Sequence, residues 1–449
     1  MYKRLSAVLL VLPLVLAATF TEPVTDKTLS NGLRVIVKVD NRSPVVVSQL
    51  WYRVGSMDEV PGKTGLSHML EHMMFKGTKT LKPGEFSKII ARNGGRENAF
   101  TTQNYTTYFQ TLEKSRLPIA LKLEADRMHN LQFKDEEFKH ERAVVMEERR
   151  LRTEDKPEGR LYEAFLHEAY KVHPYGRPVI GSMEDIKNFT ADDVRDWYHK
   201  WYEPNNATLV IVGDVDPKEV IKLAEKYFGP IPAGKLPQRH IPVEPPQHKT
   251  RSLVLKIPAK VPSILIGFHT PVIGQDKIAW EPYALDMLAG VLDGGDSARF
   301  SSQLVRKERI AASADAGYDS VSRAPSLFTI SATPYNGRSM AELKKALLEQ
   351  IDKLKTQLVT PEEMERIRAQ VIASDVYQRD SMFYQGMEIG MLTTSGVDWH
   401  LADEYVKHIK QVTPQQIQAV ARKYLVPENM SVAILQPVKD AMGKKGGRS

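Results

Sequence analysis

The sequence predicts an α+β protein made of two homologous domains of about 210 residues, each an antiparallel-rich sheet packed with helices. The main observation is an internal repeat. Residues 190–215 align without gaps on residues 413–438, and each stretch reads as a helix opened by a threonine and followed by an apolar strand. Residues 131–148 and 358–374 repeat at a similar offset, which indicates duplication.

The elements of the first copy can be predicted in order. A hairpin turned by Asn31-Gly32 comes first, because this dipeptide favours a tight turn between two strands. The remaining segments are a second apolar strand region (44–56), helices near 64–76 and 83–93, strands through 97–112, and long helices from about 115 to 150.

The chain divides into five predicted segments. A Pro-rich, helix-poor stretch separates the two copies and reads as a linker. The segments are a signal peptide (1–17), a first domain (20–232), the linker (233–250), a second, homologous domain (251–437) and a flexible basic tail (438–449).

The first residues, MYKRLSAVLLVLPLVLAATF, combine a short basic start, an apolar run and small residues near Ala17. This is the pattern of a secretory signal peptide, so we expect export across the cytoplasmic membrane, with the periplasm as the destination. The pattern leaves open whether the segment is cleaved or kept as an anchor. After cleavage no stable membrane span is expected.

Composition excludes several classes of function. The chain has no cysteine, which excludes disulfides, thiolate metal ligands and a thiol nucleophile. The net charge of +7 falls mostly in the two termini, and no basic stripe with interleaved aromatic residues is present. Nucleic-acid binding is therefore not expected.

The stretch GLSHMLEHMMFKGT contains the motif H-x-x-E-H. His68 and His72 are four residues apart, so on a helix their imidazoles lie on one face and can bind one Zn²⁺ ion. Glu71 lies beside this pair and can reach a water molecule without acting as a ligand. A third ligand must come from elsewhere, and Glu141 and Glu148, on one face of a later predicted helix, are the candidates.

The alternative is that these polar residues only form the edge of a buried helix. The second copy argues against it, because a packing role would be needed in both copies. The second copy has Asp286, Ala289 and Gly290 at the positions of His68, Glu71 and His72. It has Ser374 at the position of Glu148. A metal site in the first copy alone is therefore predicted.

These residues resemble the pitrilysin/insulinase family of inverted-motif zinc peptidases. The resemblance extends over nearly the whole mature chain. The segments that carry it are GLSHMLEHMMFKGT, GGRENAFTTQNYTTYF, HERAVVMEERR and HPYGRPVIGSMEDI.

The resemblance implies that His68, His72 and Glu148 bind zinc, that Glu71 is the general base and that Glu141 supports the site. It also implies an edge strand that pairs with an extended peptide substrate, a mode that gives affinity for any backbone. The residues of that strand are Asn98, Ala99, Phe100 and Thr101.

The expected function is a zinc metalloendopeptidase acting on peptides or unfolded segments, and the alternative is a non-catalytic scaffold or assembly subunit. The resemblance also implies an arginine and a tyrosine from a second-half domain that stabilise the tetrahedral intermediate. The corresponding strand, 324–337, lacks an arginine, and Arg299 and Tyr318 only lie nearby. A homodimer, or a heterodimer with a related subunit that supplies the pair, is therefore expected.

Overall fold

The computed structural model of the chain describes residues 24–274 and 280–438. It confirms the α+β class: helices pack on two separate sheets. The predicted signal peptide and nearly all of the basic tail lie outside the described residues. Within the described ranges, no helix is both long and apolar enough to cross a membrane.

The first sheet has six strands. They are β1 (Val24–Thr28), β2 (Arg34–Val39), β3 (Val45–Tyr52), β4 (Arg96–Thr101), β5 (Thr106–Glu113) and β6 (Ala207–Gly213). Their order is β1-β2-β6-β3-β5-β4, and the predicted hairpin is β1–β2, with Gly32 at φ +87°. β4 lies at the edge and pairs only with β5 within the described residues.

Eight helices of the described chain accompany this sheet in sequence. They are α1 (Leu66–Met73), α2 (Glu85–Arg92), α3 (Leu117–Asn130), α4 (Asp135–Arg149), α5 (Pro157–Ala169), α6 (Met183–Asn188), α7 (Ala191–Trp201) and α8 (Pro217–Tyr227). Between Tyr227 and Arg251 the chain forms neither helix nor strand.

The second half repeats this plan around a five-stranded sheet. Its strands are β7 (Arg251–Pro258), β8 (Ser263–Thr270), β9 (Ala311–Tyr318), β10 (Ser326–Pro334) and β11 (Met430–Val438), in the order β7-β11-β8-β10-β9. Its helices are α9 (Glu281–Asp293), α10 (Met340–Thr356), α11 (Pro361–Arg379), α12 (Met382–Ser395), α13 (Leu401–Gln411) and α14 (Pro414–Tyr424). The repeated helices α7 and α14 begin alike, because Thr190 and Thr413 each cap their helix.

The two halves exchange one helix each. α12 packs on β3 and β6 of the first sheet, while α5 packs on β7, β8 and β11 of the second. Glycines permit both contacts: a Cβ at Gly390 would lie 2.0 Å from Trp51, and one at Gly267 would lie 2.5 Å from Phe165. Each sheet is therefore covered on one face by its own half and on the other by its partner half.

A buried ionic cluster also joins the halves. Asp58, just before α1, forms an ion pair with Arg323 of the second half, and the two side chains are only 1% and 4% exposed. Arg239, from the segment between the halves, donates to the same carboxylate at 3.1 Å. One carboxylate therefore holds three parts of the chain together.

In the second half, the position aligned with His68 is occupied by a buried carboxyl group. Asp286 on α9 accepts a hydrogen bond from the Tyr405 hydroxyl at 2.7 Å. Burial raises the pKa of Asp286 to about 7. Because the unfolded chain loses this proton near the ordinary pKa and the folded chain only near pH 7, this group makes stability fall as pH rises between those values.

We predict that Asp286→Asn removes this pH dependence. The wild type should lose about 2 kcal/mol of unfolding free energy through this group between pH 5 and pH 7, because each pKa unit corresponds to about 1.4 kcal/mol. Urea denaturation at the two pH values measures the unfolding free energy of each protein. Asp196→Asn, on the exposed face of α7, is the matched control and should keep the wild-type slope. A variant with an unchanged slope would contradict the prediction.

Candidate metal and active site

The helix that carries the motif is anchored at its first turn by a buried carboxyl group. α1 begins after Gly65, whose φ of +95° suits glycine, and buries Met69, Leu70 and Met73 in the core. Glu59 accepts hydrogen bonds from the backbone N–H groups of Gly65 at 2.6 Å and Ser67 at 2.7 Å. This fixes the start of α1, and with it the direction of the motif side chains.

His68 and His72 lie one turn apart on α1, with their ring centroids 4.8 Å apart. Both turn toward Glu148 near the end of α4. The Nε2 atom of His72 lies 3.3 Å from one oxygen of Glu148, and the Nε2 atom of His68 lies 3.7 Å from the other. The structure therefore brings together the three residues that the family resemblance implies as metal ligands.

Glu141, one of the two alternatives for the third ligand, lies on the other side of His72. Its carboxylate bonds the Nδ1 atom of His72 at 2.9 Å and pairs with Lys76 at 2.5 Å. Glu148 is the one that faces the Nε2 atoms of both histidines, so the geometry separates the two glutamates that the sequence left equivalent.

The donor set fits a zinc ion. The possible ligand atoms of His68, His72 and Glu148 all lie within 4.8 Å of one another. Two imidazoles and one carboxylate form a common catalytic zinc set, and ligands about 2 Å from one ion lie about 3.3 Å apart. The Nδ1 atom of His68 is buried without a hydrogen-bond partner in the described part of the chain, so His68 lacks the support that Glu141 gives to Nδ1 of His72.

The two histidines differ in protonation. Burial, with the neighbouring His72, lowers the pKa of His68 to about 4, so its ring is neutral at pH 7, the form that binds metals. Burial also acts to lower the pKa of His72, but hydrogen bonds to Glu141 and Glu148 outweigh it and raise this pKa to about 9. Metal binding at pH 7 should therefore release a proton from His72.

Glu71 is held beside this cluster. One carboxylate oxygen, Oε2, accepts a hydrogen bond from the Thr101 hydroxyl at 2.6 Å, which ties α1 to the edge strand β4. Burial raises the pKa of Glu71 above its ordinary value, although the Thr101 bond acts against this. Thr101, predicted only as a substrate contact, is thus also a partner of the expected general base.

A cavity of about 880 Å³ opens over the cluster. Asn98, Ala99, Phe100 and Thr101 of β4 form part of its wall. Other parts come from the π-helical turn Arg150–Glu154 after α4, from α5, and from the loop 177–180. Gly159 allows α5 to approach this turn, since a Cβ there would lie 2.5 Å from the carbonyl oxygen of Arg152.

Two further residues that line the cavity, Arg152 and Arg177, were not predicted as site residues. Arg152 forms an ion pair with Glu148 at 2.7 Å. The i, i+4 spacing of these two residues on a helix could have indicated it. Arg177 belongs to the segment HPYGRP, and nothing local in the sequence predicts that it reaches the site.

The comparisons with known proteins agree with this geometry. Residues 34–183 match the family model described as insulinase (peptidase family M16), and residues 188–371 match the model described as the peptidase M16 inactive domain. The chain belongs to peptidase family M16. The match over residues 34–183 contains His68, His72 and Glu148. The match over residues 188–371 begins in the last part of the first half, ends within α11 and contains none of these three residues.

M16 relatives span almost the whole chain. The zinc protease PqqE of Helicobacter pylori is 33% identical over 91% of this chain and 92% of that protein. An uncharacterized zinc protease, YmxG of Bacillus subtilis, is 28% identical over 91% and 97%. The crystal structure of a protease from Helicobacter pylori aligns with a TM-score of 0.88 and 32% identity, over 93% of this chain and all of that one.

We predict that Glu141→Gln lowers zinc affinity about 10- to 100-fold, because an amide is a weaker hydrogen-bond acceptor for the ring of His72. Competition with a chromophoric chelator measures the affinity. Glu136→Gln, exposed on the first turn of α4, is the matched control and should bind zinc like the wild type. Equal affinities of all three proteins would show that Glu141 does not tune the site.

Proposed function

We propose that this chain is a zinc metalloendopeptidase that hydrolyses peptide bonds in peptides or unfolded protein segments. The observation that carries the proposal is the convergence of His68, His72 and Glu148 on one point, with Glu71 beside it, at the wall of a cavity. Membership of family M16 and the relatives named zinc proteases support it.

In the proposed mechanism His68, His72 and Glu148 would hold zinc, and Glu141 orients His72 through Nδ1. A zinc ion bound there would provide a Lewis acid for a peptide carbonyl and for a water molecule. Glu71 accepts the proton of the attacking water through Oε1, since Oε2 is bonded to Thr101. The same carboxyl group then delivers the proton to the leaving amine nitrogen.

The substrate is proposed to lie along β4. This strand leaves one edge without a paired strand in the described chain, and Asn98, Ala99, Phe100 and Thr101 bring that strand to the cavity. An extended peptide that adds to such an edge is bound through its backbone, so many sequences can be held. Thr101, which bonds Glu71, then places the peptide next to the base.

The proposed active form is a homodimer or a heterodimer with a related subunit that supplies an arginine and a tyrosine. The two nearby candidates of this chain are engaged elsewhere. Arg299 forms a bidentate pair with Glu363 at 2.8 and 3.0 Å, and the Tyr318 hydroxyl donates to the carbonyl of Pro271. Light scattering of the purified protein, with and without co-purified subunits, tests this.

Secretion to the periplasm, with removal of residues 1–17, is proposed from the pattern of the first twenty residues. Cell fractionation and sequencing of the mature N-terminus test it. A new N-terminus near Ala18 in the periplasmic fraction is the expected result.

The alternative function is a non-catalytic scaffold or assembly subunit. One observation supports this alternative: residues 188–371 match a model described as an inactive domain. The intact cluster of His68, His72 and Glu148 opposes it, because a scaffold has no need to keep three ligands and a base together.

The test is to measure zinc content by elemental analysis and hydrolysis of quenched fluorescent peptides by the purified protein, alone and with any co-purified subunit. We expect about one zinc per chain and hydrolysis that a chelator stops and added zinc restores. A protein without zinc would refute the metal site. Zinc without hydrolysis in every pairing would favour the scaffold.

A further inference from the structure

The charges on the walls of the cavity are unevenly distributed. Beyond His68, His72, Glu148 and Glu71, three charged side chains line it: Arg152, Glu163 and Arg177. Glu163 is already paired, because Arg149 holds its carboxylate with two hydrogen bonds of 2.9 and 3.0 Å. The walls therefore carry two arginines against one glutamate, and that glutamate is neutralised by Arg149.

Arg177 differs from Arg152 in its contacts. Its Nη1 atom donates to the backbone carbonyl of Glu59 at 2.8 Å, and in the described part of the chain no carboxylate oxygen forms an ion pair with it. The residue is half-buried, and burial lowers the pKa of its guanidinium. Glu59 and Asp185 act on this pKa in the opposite direction but do not outweigh burial, so a ligand carboxylate at hydrogen-bond distance would still stabilise the guanidinium.

Arg152 lies on the π-helical turn after α4, next to the metal cluster. Its side chain is 74% exposed, and its Nη1 atom contacts Glu148 at 2.7 Å. A guanidinium carries five N–H donors, so this contact leaves donors for a second anion. Arg152 thus adds a second positive charge to the cavity, close to the residues proposed to act on the peptide bond.

We propose that Arg152 and Arg177 make the cleft selective for peptides that carry a carboxylate side chain, Asp or Glu, in the segment bound beside the metal cluster. The inference rests on the proposed function, since it names the substrate class of the same site. Guanidinium groups bind carboxylates through paired hydrogen bonds, whereas a Lys or Arg side chain at the same place is repelled.

Binding without turnover tests the inference. The protein is the full chain with Glu71→Gln, and the probes are fluorescein-labelled ten-residue peptides of Ala, Leu and Gly. One Glu is moved along the peptide, and Gln and Lys peptides serve as matched partners. At the best position we expect the Glu peptide to bind about tenfold more tightly than the Gln peptide, and the Lys peptide more weakly than both, by fluorescence anisotropy.

In the Glu71→Gln protein, the further change Arg177→Gln should reduce the ratio of the affinities for the Glu and Gln peptides to near one, while the Gln peptide binds as before. Arg177→Lys should keep part of the preference for the Glu peptide. Arg152→Gln should reduce the preference less. Arg150→Gln is the control, because Arg150 pairs with Glu147 and does not line the cavity. A variant that loses affinity for both peptides equally would indicate a structural role and overturn the inference.

The outcomes separate this inference from the proposed function. Equal binding of the Glu and Gln peptides overturns the selectivity even if the wild type hydrolyses peptides. A clear Glu preference supports it even if the wild type proves inactive, because anisotropy needs no turnover. Binding of neither peptide overturns the inference as well.

Discussion

Replacing Glu71 by glutamine should lower peptide hydrolysis about a thousandfold while leaving the zinc content unchanged. The amide cannot accept the water proton, and general-base catalysis contributes about 10² to 10⁴ in rate. Zinc should stay bound because Glu71 is not among the residues that converge on the metal position. The amide can still meet the Thr101 hydroxyl, so the link to β4 is kept.

The measurement is kcat/KM with a quenched fluorescent peptide, together with elemental analysis of the same sample. Glu147→Gln is the matched control: it neighbours Glu148 on α4, is exposed and pairs with Arg150. It should hydrolyse peptides at the wild-type rate. Hydrolysis by Glu71→Gln at more than a tenth of the wild-type rate would remove Glu71 from the proposed role.

Asp58→Asn should destabilise the fold by about 3–5 kcal/mol, because removing one partner from a buried ion pair leaves the opposite charge without its counter-ion. Here Arg323 and Arg239 both lose the carboxylate that joins the halves. Urea denaturation measures the loss in unfolding free energy. A lower m-value would show that the halves no longer unfold together.

Asp214→Asn is the comparison for this variant. Asp214 forms a partly exposed pair with Lys114, and such pairs contribute about 0–1 kcal/mol. A similar, small loss in both variants would contradict the view that the Asp58 cluster holds the halves together.

The arrangement on α1 could be predicted from the sequence because it is local. The i, i+4 spacing places His68 and His72 on one face of any helix, and the apolar residues between them indicate that the helix is buried. The choice between Glu141 and Glu148 could not be made from spacing. It depends on how α4 crosses α1, which is a tertiary property, and their catalytic roles stay predictions.

The exchange of α5 and α12 between the halves was not predicted, although the sequence contains a signal for it. The strand ATLVIVG (207–213) is apolar at nearly every position, and all seven of its residues are buried. A strand with one exposed face would alternate. The pattern indicates cover on both faces, but it does not say which distant helix provides the second cover.

The second half contains a feature that limits how it could change. The offset that pairs Glu148 with Ser374 also pairs Glu141 with Ile367, and Gly290 occupies the position of His72. A Cβ on Gly290 would lie 2.9 Å from a methyl group of the Ile367 side chain, so a histidine at 290 requires that side chain to shift or be replaced. Placing the motif residues on α9 and a glutamate at 374 would thus not by itself reproduce the cluster of the first half, because Ile367 occupies the space beside position 290. A metal site in this half needs coupled changes on two helices.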